Sequence, residues 1–252
     1  MRYLKIISGF IVLQIFLSLS VVYGQETTTK TISEKRNVIK INLPALAFKN
    51  ISIQYERQIK RKLTAAINVH FIPYGKMAFT SAIAKAVNDS SIDFNAIKFG
   101  GVGFAPELRY YFSKKGAFHG FYMGLFLNYN NYKTALPVTY GDPVKKTGIF
   151  TGNVRSITGG LQLGIQRQLG KKLTLDLWLL GPNIGSGKGD FNFAGALDAG
   201  DRADLDKSLK QVQDNAPFNW VKSYSVSPTG ATLNIDGPWF GLRSGINLGY
   251  RF

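Results

Sequence analysis

The chain has 252 residues and a formal net charge of +16, with 31 lysines and arginines against 15 aspartates and glutamates. Hydrophobic residues make up 45% of the sequence, a share that excludes both a disordered chain and a helical membrane protein with several spans. Because there is no cysteine, disulfides, thiolate metal sites, cysteine nucleophiles and a lipid-modified N-terminal cysteine are excluded as well.

The first 24 residues follow the order of a secretory signal peptide. Arg2 and Lys5 precede an apolar run over 6–22, and the small residue Gly24 stands before the polar Gln25. The run is shorter than the roughly 20 residues of a membrane-spanning helix, so cleavage near Gly24 is expected rather than a retained anchor. Residues 25–37 are polar and are expected to form a flexible periplasmic lead-in to one domain over 38–252.

From Val38 onward, apolar and polar residues alternate with a period of two, which is typical of strands with two different faces. The last segment shows the pattern most clearly, because Phe240, Leu242 and Ile246 alternate with small or charged residues. Seven earlier segments do the same, and they begin near residues 39, 51, 63, 102, 121, 157 and 173. Eight strands of about ten residues are therefore predicted, the length that crosses a bilayer when tilted. Pro44 and Pro106 lie inside predicted strands and are expected to mark bulges.

The connections alternate between short basic turns and long polar segments. Short turns are predicted at 60–62, 113–116 and 170–172, and long loops at 73–96, 133–151 and 182–238. This order predicts an all-β fold, an eight-stranded antiparallel up-and-down transmembrane β-barrel with short periplasmic turns and long extracellular loops. Loop 182–238 is expected to be partly helical, because Leu205, Leu209 and Val212 follow a helical spacing.

The polar face is assigned to the inside of the barrel. A soluble lipocalin-like barrel would place its apolar face inside, but these Gly-rich strands would then enclose only a thin core. Five charged residues share the inward parity: Glu56, Glu107, Arg109, Asp176 and Arg243. They are expected to form a salt-bridge plug with a structural role, since eight strands leave little free lumen. The alternative is the gate of a narrow channel.

Two segments carry a family resemblance. The end of the chain, Gly249-Tyr250-Arg251-Phe252, resembles the terminal aromatic signal that the outer-membrane assembly machinery recognises, with Tyr250 and Phe252 as its aromatic residues. The segments 106–112 and 119–124 resemble the central hairpin of an uncharacterised family of small outer-membrane barrels of Bacteroidota. More broadly, the chain is similar to the OmpA-type transmembrane barrel superfamily. The resemblance implies location and fold, not chemistry.

No catalytic, cofactor or metal site is predicted. The two histidines, His70 and His119, have no nucleophile beside them in the sequence, so a lipid A-modifying enzyme is the least favoured function. The acidic residues between Asp198 and Asp206 lack the spacing of a calcium loop and fit the start of a helix better. Seven basic residues lie in the three short turns, which suits membrane lipid rather than nucleic acid.

These patterns lead to one functional expectation. The chain should be a monomeric, non-catalytic outer-membrane β-barrel with a polar plugged lumen and a structural or surface-interaction role. Its expected partners are outer-membrane lipid and lipopolysaccharide, and the assembly machinery during biogenesis, but not nucleic acid. A narrow channel for ions or small solutes is the alternative function.

Overall fold

The computed structural model describes residues 35–76, 78–80, 96–141, 144 and 146–252. The predicted signal peptide, most of the lead-in and most of the predicted loop 73–96 lie outside these residues. Nine antiparallel strands form one sheet: β1 (Asn37–Asn42), β2 (Ile51–Lys60), β3 (Leu63–Lys76), β4 (Lys98–Tyr111), β5 (Gly120–Tyr140), β6 (Lys146–Leu169), β7 (Leu173–Ala194), β8 (Val221–Ser227) and β9 (Gly230–Arg251).

Eight of these strands close into a ring. Strands β1 to β7 pair in chain order, β7 pairs with β9, and β9 pairs with β1, for example Ile39 with Tyr250. Strand β8 pairs only with the first part of β9, so it adds a ninth strand at the rim. The prediction of an all-β antiparallel sheet is confirmed, whereas the predicted number of eight strands omits β8.

The strands differ in length, and this corrects the predicted loops. Strands β5, β6, β7 and β9 have 21 to 24 residues, more than twice the predicted length. Most of segment 133–151 therefore belongs to β5 and β6, and both ends of segment 182–238 belong to β7 and β9. The two long strands remain paired as far as Ala194 and Gly230. Between these residues lie a helix, a 3₁₀ turn over Pro217–Asn219 and β8.

Neither proline produces the expected bulge. Strand β1 ends at Asn42, whose side chain caps a short helix, α1 (Leu43–Ala47), and Pro44 lies in its first turn. This is a favourable place for a residue without an N–H, because the first helical N–H groups have no partner within the helix. Around Pro106 the pairing of β4 with β3 runs without a shift, and the register with β5 is the same on both sides.

A hydrophobic core lies where the long strands extend past the others. Helix α2 (Ala199–Asn215) places Leu205 and Leu209 against aromatic side chains from β5, β6 and β7. These aromatic residues are Tyr140, Phe150, Phe191 and Phe193. Val212, the third residue of the predicted stripe, is 49% exposed, so the buried face of α2 is narrower than expected.

The ring has two distinct ends. The short-turn end carries the connections between β2 and β3, β4 and β5, and β6 and β7, together with both ends of the described chain. The far end carries α1, α2 and the extended parts of the long strands. None of the helices in the described part of the chain is long and apolar enough to cross a membrane.

Candidate functional site: the buried charge cluster and the outer wall

The interior of the ring holds a connected cluster of charged side chains. It consists of Lys40 on β1, Glu56 on β2, Glu107 and Arg109 on β4, Asp176 on β7 and Arg243 on β9. All five residues predicted from inward parity are therefore brought together. Lys40 completes the cluster, and its alternation with Ile39 and Ile41 already places it on the same face.

Asp176 accepts four hydrogen bonds from other side chains. Its carboxylate accepts hydrogen bonds from Lys40 Nζ at 2.5 Å and from Arg109 Nη1 at 2.7 Å. The Tyr122 hydroxyl donates to it at 2.8 Å, and Trp178 Nε1 donates at 3.2 Å. Because Asp176 is fully buried, these four donors replace the water that a carboxylate would otherwise bind.

Arg109 links the carboxylates across the ring. Its Nε donates to Glu107 at 2.7 Å, and its Nη1 contacts both Asp176 at 2.7 Å and Glu56 at 3.3 Å. Nη2 donates to Gln54 and to Glu107, each at 3.0 Å. The guanidinium also lies 4.5 Å from the centre of the Tyr122 ring. All five N–H groups can thus be satisfied inside the ring.

The cluster is electrically balanced. Lys40 bonds Glu56 as well as Asp176, and Arg243 bonds Glu107 at 3.0 Å. Three cations and three carboxylates therefore neutralise one another without an external ion. Buried charges are tolerated when they are paired and hydrogen-bonded in this way.

Glycines on the inner face make room for these long side chains. A Cβ added to Gly124 would lie 2.8 Å from the Glu107 carboxylate, and one added to Gly249 would lie 2.9 Å from Lys40 Cγ. The glycines that alternate with apolar residues in β5 and β9 are therefore explained by the space that the polar side chains occupy.

A cavity of about 540 Å³ with a mixed lining lies beside the cluster, on the far-end side. Arg243 and Trp178 border it, with the guanidinium 3.8 Å from the indole ring. Six asparagines contribute to its wall: Asn42, Asn50, Asn68, Asn128, Asn130 and Asn183. Amide groups both donate and accept hydrogen bonds, and they share the lining with apolar side chains such as Phe48, Ile72 and Leu242.

His70 borders the same cavity and has a serine opposite it. Register pairs His70 with Ser52 on β2, a neighbour that inspection of flanking residues missed. The Ser52 hydroxyl nevertheless exchanges hydrogen bonds with Asn68, at 2.9 Å from the Asn68 amide nitrogen. In the described part of the chain, Ser52 and His70 do not form the hydrogen-bonded pair that an activated nucleophile requires.

The other predicted residues lie at the short-turn end. His119 is in the connection between β4 and β5, where burial, with Arg251 and Lys115 nearby, lowers its pKa and favours the neutral form. Tyr250 and Phe252 are about half exposed, and their rings stack at 6.3 Å. Backbone bonds between Phe252 and Asn37 hold the end of the chain in the sheet.

The outward face of the ring carries a belt of exposed apolar side chains. Seventeen of them are between 37% and 67% exposed: Ile39, Ile53, Ile67, Val69, Val102, Phe104, Leu108, Met123, Leu125, Leu127, Ile157, Leu161, Leu173, Leu180, Ile184, Leu242 and Leu248. Their number and continuity far exceed the isolated exposed apolar residues of an ordinary soluble surface.

The polarity of both faces inverts along the long strands. In the belt, the inner face of β6 carries Gln162 and Gln166, whereas its outer face carries Leu161 and Leu163. Nearer the far end, the inner face turns apolar, with Phe150 and Val154. The outer face there turns polar, and β7 shows the same inversion.

Cross-strand register shows how sharp this change is on the outer wall. One row joins Leu127, Gly159, Ile184 and Phe240 across four strands. Four residues nearer the far end, the corresponding row joins Asn131, Arg155, Lys188 and Asp236. The next row on the same face joins Lys133, Asn153, Asp190 and Asn234. The apolar belt therefore ends within one row of the same level on all four strands.

A family model described as a protein of unknown function, DUF3575, matches residues 13–187. The chain belongs to this family. The match covers most of the ring, from before β1 into β7. No curated protein and no solved structure matches the chain.

Proposed function

We propose that this DUF3575 protein is an outer-membrane β-barrel whose lumen is closed by the charge cluster and whose role is structural or surface interaction. The observation that carries the proposal is the inversion of polarity along β6 and β7. An apolar outer face over a polar inner face suits a lipid surround, and the reverse arrangement suits water.

The height of the belt agrees with a bilayer. On β6 the outward apolar residues extend from Ile157 to Ile165, and on β7 from Leu173 to Ile184. Tilted membrane strands need about 9–11 residues. Beyond the belt, β6 continues for about eleven residues, or roughly 35 Å along the strand, so the far end would extend well past the headgroups.

The charge cluster argues for a closed barrel rather than the alternative, a narrow channel. Arg109 and Asp176 meet at the centre of the ring with their hydrogen-bonding groups already used. An ion entering this region would have to displace paired charges. Recognition is therefore assigned to the far end, where α2 and β8 are supported by a core of their own.

The proposed partners follow from this placement. The apolar belt would contact membrane lipid, and basic residues near its edges would meet lipid phosphates. The paired aromatic rings of Tyr250 and Phe252 would be read by the assembly machinery during insertion.

Cysteine labelling on intact cells tests the location and orientation together. The chain has no native cysteine, so a single cysteine at Val212 in α2 or at Lys115 in a short turn gives an unambiguous signal. A maleimide-linked polyethylene glycol too large for porins should modify Val212→Cys on intact cells. It should modify Lys115→Cys only after the outer membrane is permeabilised. Equal labelling of both variants before permeabilisation would overturn the proposal.

A further inference from the structure

We infer that the outer wall of the far end binds a phosphoethanolamine headgroup of a membrane lipid, in a groove beside Arg155 and Lys188. The inference rests on the proposed membrane location and deepens it by naming a lipid site. The groove has a volume of about 500 Å³ and lies across β5, β6 and β7. It is lined by Tyr129, Asn153, Arg155, Ile157, Ser186, Lys188 and Asp190.

The position of the groove matches the depth of a lipid headgroup. Tyr129 and Ile157 form the last apolar row of the belt, and Ser186 continues that row on β7. Arg155 and Lys188 follow one row nearer the far end. A lipid whose acyl chains pack on the belt would therefore place its phosphate at the level of these two cations.

The two cations are direct cross-strand partners, and only one of them has a carboxylate partner. Arg155 pairs in register with Lys188, and like charges at directly opposed positions destabilise a sheet. Lys188 also bonds Asp236 at 3.0 Å. Arg155 has no carboxylate within 4.0 Å among the described residues. A phosphate between Arg155 and Lys188 would neutralise this contact and accept charge-assisted hydrogen bonds.

One carboxylate lies on the side of the groove away from the belt. Asp190 is two residues beyond Lys188 on the same face, about 7 Å farther along the strand. Its direct partner on β6 is the uncharged Asn153. The only cation in the same cross-strand row is Lys133 on β5, two strands and about 10 Å from Asp190. A headgroup with phosphate near the acyl chains and ammonium farther out therefore matches the order of charges. A trimethylammonium group could not donate hydrogen bonds to Asp190, so phosphoethanolamine fits better than phosphocholine.

Native mass spectrometry of the full chain tests this site. The protein would be reconstituted in phosphatidylcholine vesicles containing equal amounts of phosphatidylethanolamine and phosphatidylglycerol, then released in mild detergent. We expect phosphatidylethanolamine to be retained over phosphatidylcholine by at least about fivefold, or roughly 1 kcal/mol. Arg155→Gln should remove most of this retention. The unchanged chain should also prefer phosphatidylethanolamine to phosphatidylglycerol, and Asp190→Asn should remove that preference. Arg167→Gln, on the outer face of β6 at the short-turn end, is the matched control and should bind as the unchanged chain does.

The outcomes separate this inference from the proposed function. Two parallel arms replace phosphatidylethanolamine by a lipid A that carries phosphoethanolamine or by inorganic phosphate, and so identify the source of the headgroup. Retention in either lipid arm supports the site. Equal binding of inorganic phosphate, or no loss in Arg155→Gln, overturns it. Heat-modifiable gel mobility in the vesicles reports insertion, so an inserted protein without the preference refutes the lipid site alone. Failure to insert refutes both.

Discussion

At the scale of single residues, the interior cluster shows how a narrow ring accommodates charge. Each carboxylate lies between two cations, and amide or hydroxyl groups occupy the remaining positions. Gln54 and Tyr111, for example, contact Arg109 and Glu56 respectively. Such a network stabilises the fold only while every member is present, because loss of one leaves a buried charge without its partner.

Replacing Asp176 should therefore be strongly destabilising. In Asp176→Asn, Lys40 and Arg109 would each lose a charged partner, and we expect the free energy of unfolding to fall by about 3–5 kcal/mol. Denaturant unfolding in lipid vesicles, followed by heat-modifiable gel mobility, measures the change. Asp214→Asn removes an exposed carboxylate of α2 that pairs with Lys210, and should change stability by less than about 0.5 kcal/mol. Similar values for both variants would show that the cluster does not hold the ring together.

At the scale of elements, residue alternation predicts a strand only while each face keeps one polarity. The segments inside the belt meet this condition, so their existence and their inward residues can be read from the sequence. On the far-end side of the belt the alternation no longer marks the strands, because Gly185, Gly187 and Gly189 have no side chains and the two faces exchange polarity. Register shifts near Leu163 and Trp178 also reverse the parity of β7. Alternation therefore predicts loops where the strands extend past the belt.

Local signals succeed better for α2. The Asp198 carboxylate accepts a hydrogen bond from the Asp201 N–H at 2.8 Å, and the Asp201 carboxylate accepts one from the Asp198 N–H. Asp198 and Asp201 thus form the capping box at the start of the helix. Lys146 on β6 bonds both carboxylates and joins the helix start to the sheet.

The start of α2 should be sensitive to acid. The backbone bond from Asp201, followed by the Lys146 side chain, lowers the pKa of Asp198 below its ordinary value. A depressed pKa adds stability that is complete above the unfolded value of about 4 and is lost as the pH falls through the folded value. Hydrogen exchange corrected for intrinsic rates should therefore show α2 amides losing protection below about pH 4.

The cap substitution gives the corresponding control. Asp198→Ala should loosen α2 at neutral pH and remove much of the acid-induced change. Exchange in β2 and β3, which lie far from the helix in the ring order, should stay the same. Acid loosening of equal size in Asp198→Ala would assign the effect to other carboxylates.

Lys146, the cation that pairs with these carboxylates, titrates in alkali rather than in acid. The side-chain hydrogen bond to Asp201 is the main cause that raises the pKa of Lys146. A raised pKa contributes stability that is present below the unfolded value and lost above the folded one. Between mild acid and strong alkali, the contact of α2 with β6 should therefore keep its full ion-pair contribution.

At the scale of the whole molecule, one sheet is divided into two environments by the order of its side chains. The belt region has a polar inside and an apolar outside, and the far end has the reverse. This division separates the closed ring from the far end, where α2 and β8 lie. The candidate lipid groove is at the boundary between the two.

The closed ring has an electrical consequence. Because the cluster crosses the interior, the protein in planar bilayers should show no steady conductance. The double variant Glu107→Ala/Arg243→Ala removes one carboxylate and one cation, so it leaves no net charge, and it should open small, brief currents. Large, stable currents from the unchanged chain would favour the channel instead.

Residues 195–229, which contain α2 and β8, can be removed without cutting the ring. Since Ala194 and Gly230 are paired in register, replacing residues 195–229 by Asn-Gly would close a two-residue hairpin. The variant should insert with unchanged heat-modifiable mobility while losing any surface binding that the full chain shows. Loss of insertion would identify this segment as a folding element rather than an interaction surface.

A depth profile along β6 distinguishes a lipid-facing belt from a water-facing one. Single cysteines would be placed on its outer face at Thr151, Asn153, Arg155, Ile157, Leu161, Leu163, Ile165 and Arg167, spin-labelled and reconstituted in vesicles. Collisions with oxygen, which partitions into lipid, and with a water-soluble nickel complex would then be compared at each position. We expect high oxygen and low nickel accessibility from Ile157 to Ile165, with the ratio reversed from Thr151 to Arg155. High nickel accessibility throughout the strand would contradict a membrane location for the belt.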